Sequence, residues 1–428
     1  MKKKALTLLA AAGLILSMTA CQQKTAAPAP EETETKEPAV TETEEPVSET
    51  EEETESEPEE PTEILETESE KKEMEVSTIG FVAPDMGYRI ENHAIEEYDE
   101  DDTDVLLYTA DWDTVTITKD GYDDLKEALA VMNANNEETL LHSEMLNQLD
   151  SDYEERKEGW IPYDLSTRLS VVRFDDKIFS VKTTGFSFLG GAHGSTYLGG
   201  VTFDSQTGRR LELNDLLLDP AATKEFSSKY IKDYVNKVYN SDGMGTFEGW
   251  EAEVDHFLES PVWILNDYGL EYMIDAYILG PYAMGNVEVT IPYSHMKGLM
   301  KDEYLRDGSS FTYQFSFGEE VTVDDSGNTL SAIYKTDPDS ALGTLTLQFG
   351  EEAIIAAQNI DVVSNPWVVK EADGRIYVVT ETGLYSEDMA YTHMLFQLTN
   401  GSFLKLDEID ERAVTNAAEV EAIVEGLT

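Results

Sequence analysis

From Gln22 to Glu75 the chain offers almost nothing to bury. This stretch holds 21 Glu against 4 Lys, a formal charge of −17, and Ile64-Leu65 is its one bulky aliphatic pair. A segment so acidic and so poor in apolar residues assembles no core, and like-charge repulsion and proline extend it. Residues 21–76 are therefore expected to form a disordered acidic linker, with a coil reach of ~40 Å. It serves either as a spacer or as an acidic docking tail for a cationic partner. Folding falls to the remainder, and 428 residues at 41% hydrophobic and 10% aromatic suffice for two or three domains.

Ahead of the linker, Met1-Lys2-Lys3-Lys4 is followed by an apolar run from Ala5 to Leu16 and then by Ser17-Met18-Thr19-Ala20-Cys21. A cationic start, a short apolar stretch and small residues at a cut make a secretory signal over residues 1–20. Met18-Thr19-Ala20-Cys21 resembles the bacterial lipobox. That resemblance implies that the Cys21 thiol is diacylated and becomes the new N-terminus; the alternative is an ordinary signal followed by a chance Cys. Two acyl chains give stable residence. The expected place is the cell membrane, lipid-anchored on its extracytoplasmic face. No later apolar run approaches ~20 residues. Cys21 is the sole cysteine, so an internal disulfide and a thiolate metal cage are both excluded.

Lys and Arg total 30 against 87 Asp and Glu, a formal charge of −57. Phosphate neutralisation needs clustered cations, so a nucleic-acid partner is excluded. The acidic body would steer cationic partners instead, over the ~8 Å that physiological salt allows.

The body reads as α+β: two antiparallel-sheet-plus-helix domains, 77–190 and 191–305, then a β-rich region, 306–428. In the first, strands are expected at 105–108 and 114–118. Leu125, Ala128, Leu129 and Met132, then Leu141, Met145 and Leu149, have helical spacing, with a break near Asn133-Ala134-Asn135-Asn136. Strands 169–174 and 178–181 meet at an Asp175-Asp176 turn. In the second, a strand from Tyr197 to Phe203 turns at 204–208. Asp219-Pro220 starts a helix whose buried stripe is Phe226, Tyr230, Ile231, Tyr234 and Val238. A strand is expected over 272–279, and Val287, Val289 and Ile291 alternate with Glu288 and Thr290 as in a half-exposed sheet. In the third, Leu345, Leu347 and Phe349 alternate with polar partners. Asp373-Gly374 joins a hairpin, and a helix closes the chain from 411 to 427.

Gly190-Gly191-Ala192-His193-Gly194-Ser195-Thr196-Tyr197 is the most distinctive string, followed by Phe203-Asp204-Ser205-Gln206-Thr207-Gly208 and Leu211-Glu212-Leu213-Asn214-Asp215-Leu216. With Tyr277-Ile278-Leu279-Gly280-Pro281-Tyr282-Ala283-Met284-Gly285 and Val289-Thr290-Ile291-Pro292-Tyr293, it resembles an extracytoplasmic domain of unknown function. That domain occurs in the anti-sigma-V factor RsiV, the bacterial lysozyme receptor, and beside the catalytic domain of the peptidoglycan deacetylase PdaC. The segment before it resembles the partner domain of the same family, so the likeness covers about 77–305. It implies α+β domains and, in the receptor, binding of a cationic cell-wall hydrolase. The lipid-type N-terminus, with no transmembrane helix or cytosolic sigma-binding segment, separates this chain from an anti-sigma factor.

Glycines cluster where backbone takes positive φ or approaches a neighbour. The 190–197 string is thus either a ligand-contacting loop or a tight structural crossover. In the first case His193 offers an imidazole and Tyr197 an amphipathic surface; in the second His193 hydrogen-bonds backbone. Gly280 to Gly285, with Tyr282, is likewise an exposed aromatic loop or a strand connection. The candidate contact residues are Gly190, Gly191, His193, Gly194, Tyr197 and Tyr282.

Enzymatic readings find little support. Deacetylase chemistry needs a metal-activated water and a His pair spaced as H-x3-H, whereas His93, His142, His193, His256, His295 and His393 are scattered. Arg173-Phe174-Asp175-Asp176 echoes a deacetylase Asp-Asp motif but sits in a strand-turn-strand pattern. Asp324-Asp325-Ser326-Gly327-Asn328 lacks the spacing of an EF-hand and reads as a hairpin turn. No metal or cofactor is expected. The expectation is a non-catalytic binding module for a lysozyme-like protein or a peptidoglycan fragment; the alternatives are a cell-wall hydrolase or deacetylase-related enzyme and a structural envelope protein.

Overall fold

Five strands, β1 (Tyr88–Tyr98), β2 (Leu106–Ile117), β3 (Tyr163–Phe174), β4 (Ile178–Phe188) and β5 (Ser195–Asp204), lie side by side in that order. The computed structural model describes residues 87–427 except 100, 144, 241–244, 338–339, 341, 384–390 and 412–416. The signal, Cys21 and the expected linker lie outside the described residues. The two strands expected at 105–108 and 114–118 are one, β2. Asp175 sets the β3–β4 turn: its carboxylate accepts from the backbone N–H groups of Lys177 (2.8 Å) and Ile178 (2.9 Å) and from Arg173 Nε (2.6 Å). Hairpin pairing of β4 with β5 carries the sheet past residue 190.

Pairing is antiparallel except between β2 and β3, which run parallel from Tyr108↔Tyr163 to Trp112↔Thr167. This corrects the all-antiparallel expectation for the segment. The chain leaves β2 through α1 (Asp123–Leu141) and α2 (Leu149–Arg156) before returning as β3, and a crossover of that kind yields a parallel neighbour.

The break expected near Asn133 is also corrected, because α1 runs through it. The Asn133 amide turns to the sheet instead: Oδ1 accepts from Val115 N (3.1 Å) and Nδ2 donates to Val115 O (2.9 Å). Beyond Trp112 and Thr167, β2 and β3 no longer pair, and side chains take over the ladder there. Asp113 Oδ2 accepts from Leu169 N (3.0 Å) in the same gap. Val115, Leu125, Leu129, Leu169, Val171, Phe179, Val181 and Phe203 form the core between α1 and the sheet.

A one-turn helix, α3 (Leu213–Leu216), leads to α4 (Pro220–Val238), capped by Asp219, whose Oδ1 accepts from Ala222 N at 3.0 Å. The fully buried face of α4 is Thr223, Ser227, Ile231 and Val235; of the expected stripe Ile231 lies on it, while Phe226, Tyr230 and Tyr234 flank it, half-buried. Tyr272 explains the choice of Ser227: their hydroxyls meet at 3.1 Å inside the core. After α5 (Trp250–Phe257) come β6 (Trp263–Leu265), β7 (Gly269–Ile274) and β8 (Val287–Pro292), a three-stranded antiparallel sheet. Leu270, Tyr272, Val287, Val289 and Ile291 pack with Ile231, Val235, Trp250 and Val254.

The other face of this sheet meets the first. Val172 and Leu198 pack on Ile264 and Met273, and Lys182 Nζ forms ion pairs with Glu271 (2.8 Å) and Glu288. The half-exposed sheet expected at 287–291 is therefore buried on both faces, apart from half-buried Glu288. Its polar positions face a buried seam instead of solvent. β7 ends at Ile274, so the strand expected over 272–279 gives way to a loop. A further one-turn helix, α6 (Tyr293–Met296), follows β8.

β9 (Phe311–Gln314) precedes a four-stranded sheet of β10 (Val321–Thr322), β11 (Thr329–Thr336), β12 (Gly343–Phe349) and β13 (Glu352–Ile360). The 324–328 segment is the β10–β11 hairpin turn. β14 (Val362–Val363), β15 (Trp367–Lys370), β16 (Ile376–Gly383), β17 (Tyr391–Thr399) and β18 (Ser402–Glu411) then join β9 in a second sheet, ordered β18-β17-β16-β15-β9, with β14 on β16. Leu345, Leu347 and Phe349 face Val368, Val378 and Phe396 across the sandwich. Val420 and Val424 of α7 (Ala417–Leu427) cover Tyr377, Val379 and Leu395 on its outer side. Glu411, expected to open the final helix, ends β18.

Candidate functional site

The glycine-rich string is the β4–β5 hairpin loop, entered at Ser187↔Ser195. Gly190 takes φ +75°, which a side chain would strain. A Cβ at Gly194 would lie 2.2 Å from the Phe186 ring, so glycine is what lets the loop fold onto its own strand.

A second loop, 275–286, meets it. Asp275 Oδ1 accepts from Leu198 N (2.8 Å), tying this loop to β5, and Asn286 Oδ1 accepts from Ala276 N (2.8 Å), closing the loop on itself. Burial raises the Asp275 carboxyl above the usual carboxylate range, with the Leu198 N–H acting in the opposite direction. Tyr277 sits at φ +67°, strained backbone for a non-glycine residue.

The two loops meet in an exposed aromatic cluster. His193 stacks on Tyr282, with centroids 3.9 Å apart and planes at 20°. Its Nδ1–H donates to Gly194 O (2.9 Å), which leaves Nε2 to accept from the Tyr277 hydroxyl (3.2 Å) in the neutral ring. The rings of Tyr277 and Tyr282 lie 5.7 Å apart, and are 51% and 37% exposed. Phe247, 45% exposed, is tied to the same loop by its backbone, its N–H donating to Leu279 O (2.9 Å). A hollow of about 340 Å³ opens beside Tyr282, lined by Thr196, Ala276, Met284 and Asn286. Planar rings offered to solvent next to amide and hydroxyl groups suit an amphipathic partner.

His193 and Tyr282 are thus brought together, and His193 also makes the backbone hydrogen bond of the crossover reading. Tyr197 is placed elsewhere. Its ring lies over Gly185, where a Cβ would come within 1.8 Å, and its hydroxyl is 3.3 Å from Thr167 Oγ1. Gly191 is exposed and has no positive φ; Cys21 lies outside the described residues. Sequence reasoning passed over Tyr277, read inside a strand, and Phe247, which carries no local signal. The Gly285-Asn286 pair ahead of β8 was the turn signal available for the loop.

Among the described residues no three His, Cys, Asp or Glu side chains stand together as a metal site, and no helix is long and apolar enough to cross a membrane. Arg173, from the Asp-Asp motif, is a buried strut: Nη1 donates to the Tyr293 hydroxyl (2.6 Å) and Tyr304 O (2.9 Å).

The fold is a mixed α+β arrangement with several antiparallel sheets and a β-rich C-terminal region. Residues 214–294, which run from α3 to α6 and contain the tyrosine loop, match the family described as "Protein of unknown function (DUF3298)". Two solved structures are similar. A DUF3298 family member from Bacteroides fragilis is 19% identical, with 50% of this chain and 94% of that chain covered and a TM-score of 0.39. A DUF3298 family protein from Pseudomonas aeruginosa is 17% identical, with 51% and 96% covered and a TM-score of 0.34. No curated protein matches.

Proposed function

We propose that this chain is a lipid-anchored extracytoplasmic protein, held to the membrane through Cys21, that binds a cell-wall-associated ligand without acting on it chemically. The supporting observation is the exposed His193–Tyr277–Tyr282 cluster, built from two loops far apart in sequence and clamped through Asp275. Exposed aromatic anchors over a rigid frame are what binding surfaces use. The likeness to the lysozyme-receptor domain and the charge of −57 favour a cationic, lysozyme-like protein as the ligand; peptidoglycan fragments are the second candidate.

The test uses full-length protein in detergent micelles. It is expected to bind lysozyme with micromolar or tighter affinity at low salt, weakening as salt rises. Tyr282→Ala is expected to weaken binding about tenfold or more. Failure to bind either lysozyme at low salt or insoluble peptidoglycan would overturn the reading. Fatty-acid labelling that persists in Cys21→Ser would overturn the anchor.

A further inference from the structure

A second concavity, of about 440 Å³, lies between α7, the β15–β16 turn and the Asp267–Arg306 ion pair. One wall is acidic: Glu421 and Glu425 stand four apart on α7 and so share a face. Another is basic, with Lys370 and Arg375 flanking the turn. Phe311, Val369 and Val424, all buried, supply apolar surface.

Most of these charges already have partners. Asp267 and Arg306 hold each other, and Arg375 is engaged by Asp373 (2.8 Å), Glu371 (2.6 Å) and the Tyr377 hydroxyl (2.9 Å). Three groups remain, the Lys370 ammonium and the carboxylates of Glu421 and Glu425. The Lys370 ammonium lies over the Phe311 ring, 6.0 Å from its centroid, and meets no carboxylate among the described residues. The Glu421 carboxylate accepts one hydrogen bond, from Thr312 Oγ1 (2.5 Å). Burial raises the Glu421 and Asp267 carboxyls above their usual range. Carboxylates desolvated in this way gain from an incoming cation.

The geometry points to a binding site for a small dipolar ligand, an α-amino acid or short peptide with free ends. Its ammonium pairs with Glu421 and Glu425, its carboxylate pairs with Lys370, and its side chain rests on Phe311, Val369 and Val424. The volume falls at the small end of the range for ligand pockets. This site is formed by the C-terminal sandwich and α7, with Asp267 of the β6–β7 turn and Arg306 at its edge, and shares no residue with the aromatic cluster.

Titration calorimetry on the full-length protein with the dipeptide Ala-Ala tests it, beside the N-acetylated and C-amidated forms. The free dipeptide is expected to bind with a Kd below about 1 mM, and blocking either end is expected to weaken binding about tenfold or more. Glu421→Gln combined with Glu425→Gln should erase the preference for a free amine, with Glu421→Gln alone reducing it, and Lys370→Met should erase the preference for a free carboxylate. The comparison of the three ligands on the unmodified protein stands even if a variant fails to fold. No saturation by about 10 mM, or equal binding of free and blocked forms, would overturn the site.

Discussion

Glu319 is a carboxylate in a place that suits a neutral group. It is 6% exposed, in the turn between β9 and β10, and accepts from the Tyr313 hydroxyl (2.8 Å) and Ser316 N (2.9 Å). Burial pushes its pKa up from 4.5 to about 7; the negative charges of Glu271 and Glu288 add to the rise and the two hydrogen bonds oppose it. The proton is thus held more tightly in the folded chain than in the unfolded one. Its contribution to stability is complete below the unfolded value and is lost as pH climbs from about 4.5 to about 7. At about 1.4 kcal/mol per pKa unit, the loss is about 3 kcal/mol. Glu319→Gln fixes the side chain in the neutral shape, its carbonyl accepting from Ser316 N and its NH2 donating to the Tyr313 hydroxyl, with one N–H more than the protonated acid. Near pH 4 variant and parent should agree within about 1 kcal/mol; by pH 8 the variant should be ahead by about 3 kcal/mol. Urea unfolding of both proteins across that range, at constant ionic strength, measures the gap, and the other carboxylates cancel in the difference. A gap that stays constant with pH would refute the reasoning.

Asn133→Ala removes both hydrogen bonds to Val115 where β3 has left β2, and should cost about 1–3 kcal/mol in chemical denaturation. Exchange of the Val115 amide should accelerate more than that of its neighbours in β1. Lys182→Met leaves Glu271 and Glu288 facing each other without the ammonium between them. It should cost about 3 kcal/mol near neutral pH, toward the low end for a broken buried pair because Glu288 is half-exposed. Burial already raises the Glu288 carboxyl, so acidification should recover part of that loss; a loss that does not change with pH would count against the seam being ionic.

Turns were legible because their chemistry is local. Asp175-Asp176, Asp204 to Gly208 and Asp373-Gly374 each carry an acceptor or a glycine that closes a hairpin without help from the rest of the fold. What escaped depended on partners distant in sequence. Asn133 reads as a helix breaker until Val115 stands beside it, and Ser227 reads as surface until Tyr272 does. Periodicity places the large rings of α4 inward, yet the interior between α4 and β7 admits the smaller Thr223 and Ser227 and leaves Phe226, Tyr230 and Tyr234 at its margin. The site shows the same division. His193 and Tyr282 each stood out in their own string, but their stacking is a contact between hairpin ends that no local pattern encodes.

That contact depends on strand register, and the buried seam supplies a reason for the register. Val181 and Lys182 point to opposite faces of β4, Val181 into the α1 core and Lys182 toward Glu271 on β7 and Glu288 on β8. A slip of one residue in β4 would drive the ammonium into that apolar core and leave two carboxylates facing each other without it, a penalty of several kcal/mol. Hydrophobic packing of Leu198, Ile264 and Met273 in the same interface tolerates small displacements far better. Lys182 also lies opposite Gly200 on β5, where a Cβ would come within 2.2 Å of Ile264. The seam therefore sets both how the β6–β7 hairpin is placed along β4 and β5 and how closely it approaches. Those two quantities decide where the 275–286 loop emerges, and hence whether Asp275 reaches Leu198 and Tyr282 reaches His193.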